Sequence, residues 1–489
     1  MTNFNSYEDP APVVSEATPL ISSGSEIGVT EEVTKDRLHL LEATSLQHEA
    51  KIIAKNAAPL LVTFMLQYSV AFLAVVMAGR LGKDELAAVS LAFMTFNITG
   101  QTVIIGMASC LDTVCAQAYG AGQKKLVGQY FQKCATMIFA SLIPISFAWW
   151  FSYDILKYLV PQKELALLAQ QFLRVMIFGA PGNILFETGK RYLQAQGIFD
   201  AGFYVLLVSA PINFALNYFL VYHGFGYIGS AIGLATTLWI MPILLFIYVK
   251  FKISDECWDG LNFKAMFSAW GPLLSLALPG MLMIVAEFLA FELLTLSSAQ
   301  FGTASLAANS VGGNTGVWAF FIPYSVSVSA SNRIANFVGA QRVEAAKLSI
   351  RASFYMAWIV GAITSVLLVV LRGYVVRVFT NDEEVIDIAM TVIPIIGFNN
   401  IFDGFNVVTS GCLRGQGRQK IGSILALVAY YGLAVPCSLI GGFVLDLKVV
   451  GLWGGMIVGI ASLSAMQGVA VVKGDWDWIV ATAKLRNEV

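Results

Sequence analysis

Twelve long apolar runs dominate this chain, at roughly 56–79, 86–111, 131–152, 166–187, 202–222, 228–250, 273–299, 304–331, 352–372, 386–410, 421–442 and 449–472. A helix needs about 20 mostly apolar residues to cross a bilayer, and each run meets that length. In hydrocarbon every backbone N–H and C=O must be paired inside its own segment, so the runs read as helices. They are continuous rather than alternating, which disfavours a β-barrel. With 57% of its residues hydrophobic and only 12% charged, the chain has too little charge to coat a soluble surface. An ordinary soluble enzyme, a secreted disulfide scaffold and a nucleic-acid binder are therefore excluded. The expected class is all-α, a polytopic membrane protein with twelve transmembrane helices. The six cysteines form no CxxC, and His39, His48 and His223 are the only histidines, so neither a metal nor another cofactor is expected.

Residues 1–50 are unlike the rest. They hold nine acids against Lys35 and Arg37 and read as a disordered acidic cytosolic tail. Two stretches, Glu16 to Leu20-Ile21 and Asp36 to Leu40-Leu41, have the form of acidic dileucine addresses. Such addresses route membrane proteins to vacuoles, so a vacuolar or plasma membrane location is expected. With the tail placed in the cytosol, lysine and arginine split twenty to seven in favour of the inner segments. That bias puts both termini on the cytosolic side.

The two halves of the chain align with a constant offset of 220 residues. Pro59 matches Pro279, Gly82 to Ser90 matches Gly302 to Ser310, and Leu193, Gln196 and Gly197 match Leu413, Gln416 and Gly417. One residue less aligns Gly120-Ala121 with Gly339-Ala340. The repeat divides the chain into an N-lobe over 51–255 (spans 1–6), a C-lobe over 256–475 (spans 7–12) and a short cytosolic tail over 476–489. Two pseudo-symmetric six-helix lobes of equal orientation suit a transporter with its path between them.

The segments Ala78–Ala88, Leu111–Gly122, Glu287–Glu292 and Gly411–Gly417 resemble the multidrug and toxic compound extrusion (MATE) family, most closely its plant and fungal members. The resemblance covers roughly residues 50–475. It implies a secondary antiporter that expels organic, often cationic, compounds in exchange for protons or sodium by alternating access. Many prokaryotic members carry an aspartate in the first span where this chain has Ala74. The second-half carboxylates resemble those of eukaryotic members, which favours protons. A lipid-flippase-like carrier and a major-facilitator carrier are the alternatives. No GxxxxGK[ST] occurs, so no ATP site is expected. The expected partners are small organic substrates, protons and the bilayer, with the protein a monomer.

A carboxylate in a span is costly and is a functional candidate by default. Glu287 lies mid-span with no base within ten positions, and Asp403 shares a helix face with Asn399, Asn400 and Asn406. Both are read as proton-coupling or substrate-binding groups. Glu292, about 140° further round the same helix, is a third candidate. Gln67 and Asn183, the first-half counterparts of Glu287 and Asp403, join Asn399 and Asn406 as polar cavity residues. Asp112 and Arg333 are expected to pair at the cytosolic gate, and Glu187 to pair with Lys190 and Arg191.

Overall fold

The computed structural model describes residues 44–159 and 162–488. The twelve expected spans are all helical. They comprise span 1 (Leu46–Gly79), span 2 (the helical run from Lys83 to Gly120), span 3 (Lys124–Trp150), span 4 (Lys163–Ala195), span 5 (Ala201–Leu220) and span 6 (Tyr227–Lys252). The second half follows with span 7 (Gly271–Ala299), span 8 (Thr303–Gly339), span 9 (Val343–Phe379), span 10 (Glu383–Gly415), span 11 (Gln419–Val444) and span 12 (Lys448–Val472). Eleven are long and apolar enough to cross a membrane by composition. The twelfth, span 8, is 37 residues long but rich in serine and asparagine. It packs against spans 1 and 2 of the other half, so its polar side chains meet protein rather than lipid.

Local chemistry sets the ends. Ser45 caps span 1 by accepting from the His48 N–H, and Asp382 caps span 10 through Glu384 and Val385. Gly197 (φ 84°) and Gly417 (φ 71°) end the repeat-related spans 4 and 10 in the left-handed region that favours glycine.

The tails and the lobe boundary depart from expectation. Span 1 begins at Leu46, inside the stretch read as tail, because Ser45 caps it and Glu49 is fully buried. The dileucine-like stretches lie outside the described residues. The last residues form a helix, Trp476–Asn487, capped by Asp475. The linker after span 6 is bound to the N-lobe through Lys124–Glu256, Lys125–Asp259 (3.0 Å) and the Gln132 amide on the Gly260 carbonyl (2.8 Å). N-lobe packing therefore runs past residue 255.

The lobes meet in the half of the bundle that carries both described ends, called here the terminal face. Spans 2 and 8 cross there at backbone contact. A Cβ on Gly120 would sit 2.0 Å from the Asn336 carbonyl oxygen, and one on Gly339 would sit 2.0 Å from that of Gln117. Each contact is the image of the other under the 219-residue shift, which places a pseudo-two-fold axis at the crossing. Spans 2 and 7 approach in the same way, with Gly106 against Met281. Of the span 8 glycines, Gly312 packs against the tip of the Ile396 side chain, whereas Gly313 faces open space.

Candidate functional site

Span 7 carries Glu287 sixteen residues, about 24 Å, from its start at Gly271, so the carboxyl lies near mid-depth. Span 10 carries Asp403 twelve residues, about 18 Å, before its end at Gly415. Spans 11 and 12 pack on span 7 and span 10 packs on span 12, which brings the two carboxyls into mutual electrostatic range, with the phenol of Tyr430 beside both. Asp403 is buried and Glu287 half-buried. The pair thus has one member buried and one partly exposed. Glu292 is also half-buried but points away from the pair, as its angular offset requires.

The asparagine stripe is real but does not line an open cavity. Asn399 and Asn406 are 3% and 2% exposed, and the Asn400 amide donates to Thr364 on span 9. Asn406 lies within reach of Asp403. The first-half counterparts are also spoken for. Asn183 is fully buried and donates to the Gln101 side chain at 2.5 Å. Gln67 donates to Glu187 Oε1 at 2.6 Å and accepts from Lys190 at 3.0 Å.

A second charged cluster lies on the N-lobe side, nearer the terminal face. Glu187 pairs with Lys190 (3.1 Å) and Arg191 (3.2 Å), as its spacing on span 4 predicts. Asp112 and Arg333 do not pair with each other. Asp112 faces Arg191 at 3.4 Å and Arg414 of span 10 at 3.9 Å. Arg333 instead clamps Glu49, with Nε and Nη2 at 3.0 and 2.9 Å from its two oxygens. Thr44 and Ser349 also donate to Glu49. The expected pairing fails because both residues find nearer partners on other spans.

Sequence reasoning missed Glu49, Tyr430 and the burial of Arg414. Glu49 was hidden by the acidic tail before it, and Arg414 by its place near a loop. Tyr430 sits in a π-helical segment, Val428–Ala434, in an apolar run that no periodicity distinguishes.

Between spans 1 and 8, Tyr68 packs edge-on against Trp318 and Phe321, and Phe64 lies against Tyr324. These rings join the lobes at mid-depth. No cluster of metal-ligating side chains occurs among the described residues.

Comparison with known proteins gives a consistent picture. The MatE family profile matches twice, at residues 59–219 and 279–440, beginning 220 residues apart like the sequence repeat. An uncharacterized transporter of Saccharomyces cerevisiae, YDR338C, is 40% identical over 475 residues, covering 96% of this chain and 68% of its own. Multidrug and toxin extrusion protein 2 of Mus musculus is 30% identical, covering 90% of this chain and 77% of its own. Among solved structures, the eukaryotic MATE transporter AtDTX14 superposes with a TM-score of 0.86 at 26% identity, over 90% of this chain and 99% of that one.

Proposed function

The chain belongs to the MatE family of membrane transporters, and from that premise we propose a proton-coupled exporter of organic cations. Alternating access is its mechanism, with Glu287 and Asp403 as the coupling groups and Glu292 in a supporting part. Ionised, the pair attracts a cation to mid-depth. Protonated, it releases that cation and lets the carrier return without cargo.

One observation carries the reading: two carboxyls near mid-depth, on spans 7 and 10, lie within electrostatic range of each other. Two carboxyls this close resist joint ionisation, which makes their proton occupancy responsive to a nearby cation. The second-half carboxylates resemble those of eukaryotic members, which favours protons over sodium, and the buried Ala74 of span 1 offers no ligand for a first-lobe ion site. The rings of Tyr68, Trp318 and Phe321 offer faces to a flat cationic substrate. In this reading the terminal face is cytosolic, so the closed crossing of spans 2 and 8 corresponds to an outward-facing state. The protein acts as a monomer in the vacuolar or plasma membrane.

The test uses proteoliposomes of the purified protein, an imposed pH gradient and ethidium as the fluorescent cation. Uptake driven by the gradient and lost in Glu287→Gln and Asp403→Asn is the expected result. Uptake that ignores the pH gradient but follows sodium would overturn the ion assignment.

A further inference from the structure

Four acids, three of them buried and one half-buried, lie with three buried bases along the seam between the lobes, and their distribution is uneven. On the N-lobe side Asp112 and Glu187 balance Lys190 and Arg191. In the C-lobe Glu287 and Asp403 have each other and no lysine or arginine of their own. Arg414 stands between the two groups. It is 6% exposed and belongs to the C-lobe by its helix. It follows Asp403 by eleven residues, about three turns, and so shares its helix face. Its Nε lies 3.9 Å from Asp112 across the seam, and its Nη2 donates to Ser327 at 3.1 Å. It is also within electrostatic range of Glu287.

The contact with Asp112 is loose. Arg414 Nε, which faces Asp112 Oδ2, is buried without a hydrogen-bond partner, as are Asp112 Oδ1 and the Arg191 Nε that faces it at 3.4 Å. Such groups are costly to leave unpaired, which suits a contact that is made and broken. The other titratable groups facing this region are Glu187, Lys190 and Arg191 of span 4, Tyr324 of span 8 and Cys412 of span 10. Arg191 and Lys190 donate to Glu187, whereas Arg414 donates to the Ser327 hydroxyl and meets Asp112 only at 3.9 Å, so of the three bases it is the one least held by a carboxylate.

We propose that Arg414 is a positioning residue that ties proton release at the Glu287–Asp403 pair to opening of the terminal face. This inference rests on the coupling role proposed above for that pair. With the face closed, Asp112 faces the guanidinium across the seam and offsets its charge. When the lobes part, Asp112 withdraws with the N-lobe and Arg414 stays with the C-lobe, where Glu287 lies within its electrostatic range. A guanidinium that loses its counter-charge favours an ionised carboxyl within its range, so opening drives the proton off Glu287 toward the terminal side. By linkage, ionisation of the pair draws Arg414 from Asp112 and favours opening. Proton affinity then differs between the two states, as an antiporter requires.

The test needs no substrate. Thr113 is bonded across the seam, to the Arg414 carbonyl at 2.6 Å and from the Gln419 amide at 2.7 Å. In a Thr113→Cys protein in nanodiscs, labelling by a membrane-impermeant maleimide reports opening of the terminal face. The maleimide rate is corrected at each pH against a small free thiol. Corrected labelling is expected to rise about tenfold with pH as the pair ionises. Arg414→Gln should flatten that dependence to less than twofold, whereas Arg414→Lys should preserve it. Asp112→Asn should move its half-point down by about one pH unit, the direction expected when the Arg414 charge is no longer offset. A pH dependence lost in Glu287→Gln but intact in Arg414→Gln would overturn this inference and leave the coupling role standing. A dependence that survives in Glu287→Gln with Asp403→Asn would overturn both.

Discussion

Glu187 shows how much of a residue's role depends on partners within its own turn. Lys190 and Arg191 follow it on span 4, and all three are nearly fully buried. That pairing was legible because it needs only helical spacing. Glu287 and Asp403 were legible for the opposite reason, as acids in apolar runs with no local base. Glu49 and Arg414 were not legible. Their partners lie 284 residues away at Arg333 and 302 positions back at Asp112, and no local spacing encodes such contacts. Removing one member of a buried ion pair leaves an uncompensated charge, at a cost of about 3–5 kcal/mol. Glu187→Ala strands Lys190 with only Gln67 as a polar partner and leaves Arg191 to Asp112. Its thermal midpoint in detergent should fall accordingly. Glu187→Ala combined with Lys190→Met removes the stranded charge and should recover part of that loss. A double variant no more stable than the single one would show that Glu187 does not act through Lys190.

At the scale of the element, length and hydropathy located every span, but not where helices bend or cross. The π-helical segments Asn97–Gln101 in span 2 and Val428–Ala434 in span 11 carry no period of their own. They arise where packing shifts the helical register. The crossing of spans 2 and 8 was half visible, since Gly120 and Gly339 were seen as repeat partners but not as each other's neighbours across the axis. Their equivalence gives a paired expectation. Gly120→Ala and Gly339→Ala each push a methyl against a backbone carbonyl that cannot yield, so each must part the helices. Both should loosen the terminal face to a similar degree, read as a comparable rise in maleimide labelling of the introduced thiol in the Thr113→Cys protein. An effect confined to one glycine would contradict the pseudo-symmetric crossing. The C-terminal helix reinforces the same place. Arg486 donates to the Gly417 carbonyl of the C-lobe at 3.3 Å, and Tyr130 of span 3 donates to the Arg486 carbonyl at 2.6 Å. Arg486→Ala should raise labelling in the same assay, by less than either glycine variant because the backbone contact remains.

At the scale of the whole molecule, the terminal face is tied by several contacts that must break together if the lobes are to separate. Glu49 with Arg333 joins spans 1 and 8, Thr113 with Arg414 and Gln419 joins spans 2, 10 and 11, and Gln117 donates to the Gly415 carbonyl at 3.3 Å. The two-lobed plan was legible from the repeat, because duplication leaves a constant offset. The seam itself was not, since it depends on which faces of unrelated spans meet. On the other face the outer part of span 2, Lys83–Phe96, packs on spans 1 and 4 of its own lobe. Transport by alternating access requires the terminal ties to open as a unit, whereas a channel or a one-sided binder would not need it. A covalent tie across the seam separates these cases. Thr113→Cys with Gln419→Cys places two thiols at a cross-lobe hydrogen bond, and the six native cysteines supply little background because five are buried. A short bifunctional thiosulfonate should join them, abolish gradient-driven ethidium uptake, and release it again on reduction. Uptake unchanged by a completed cross-link would mean that the lobes do not part at this face during transport. Glu49→Gln without the cross-link should do the reverse, because it weakens one tie and leaves the Arg333 guanidinium short of a counter-charge. Its terminal face should open more readily, read as faster maleimide labelling of the Thr113→Cys thiol than in the parent protein.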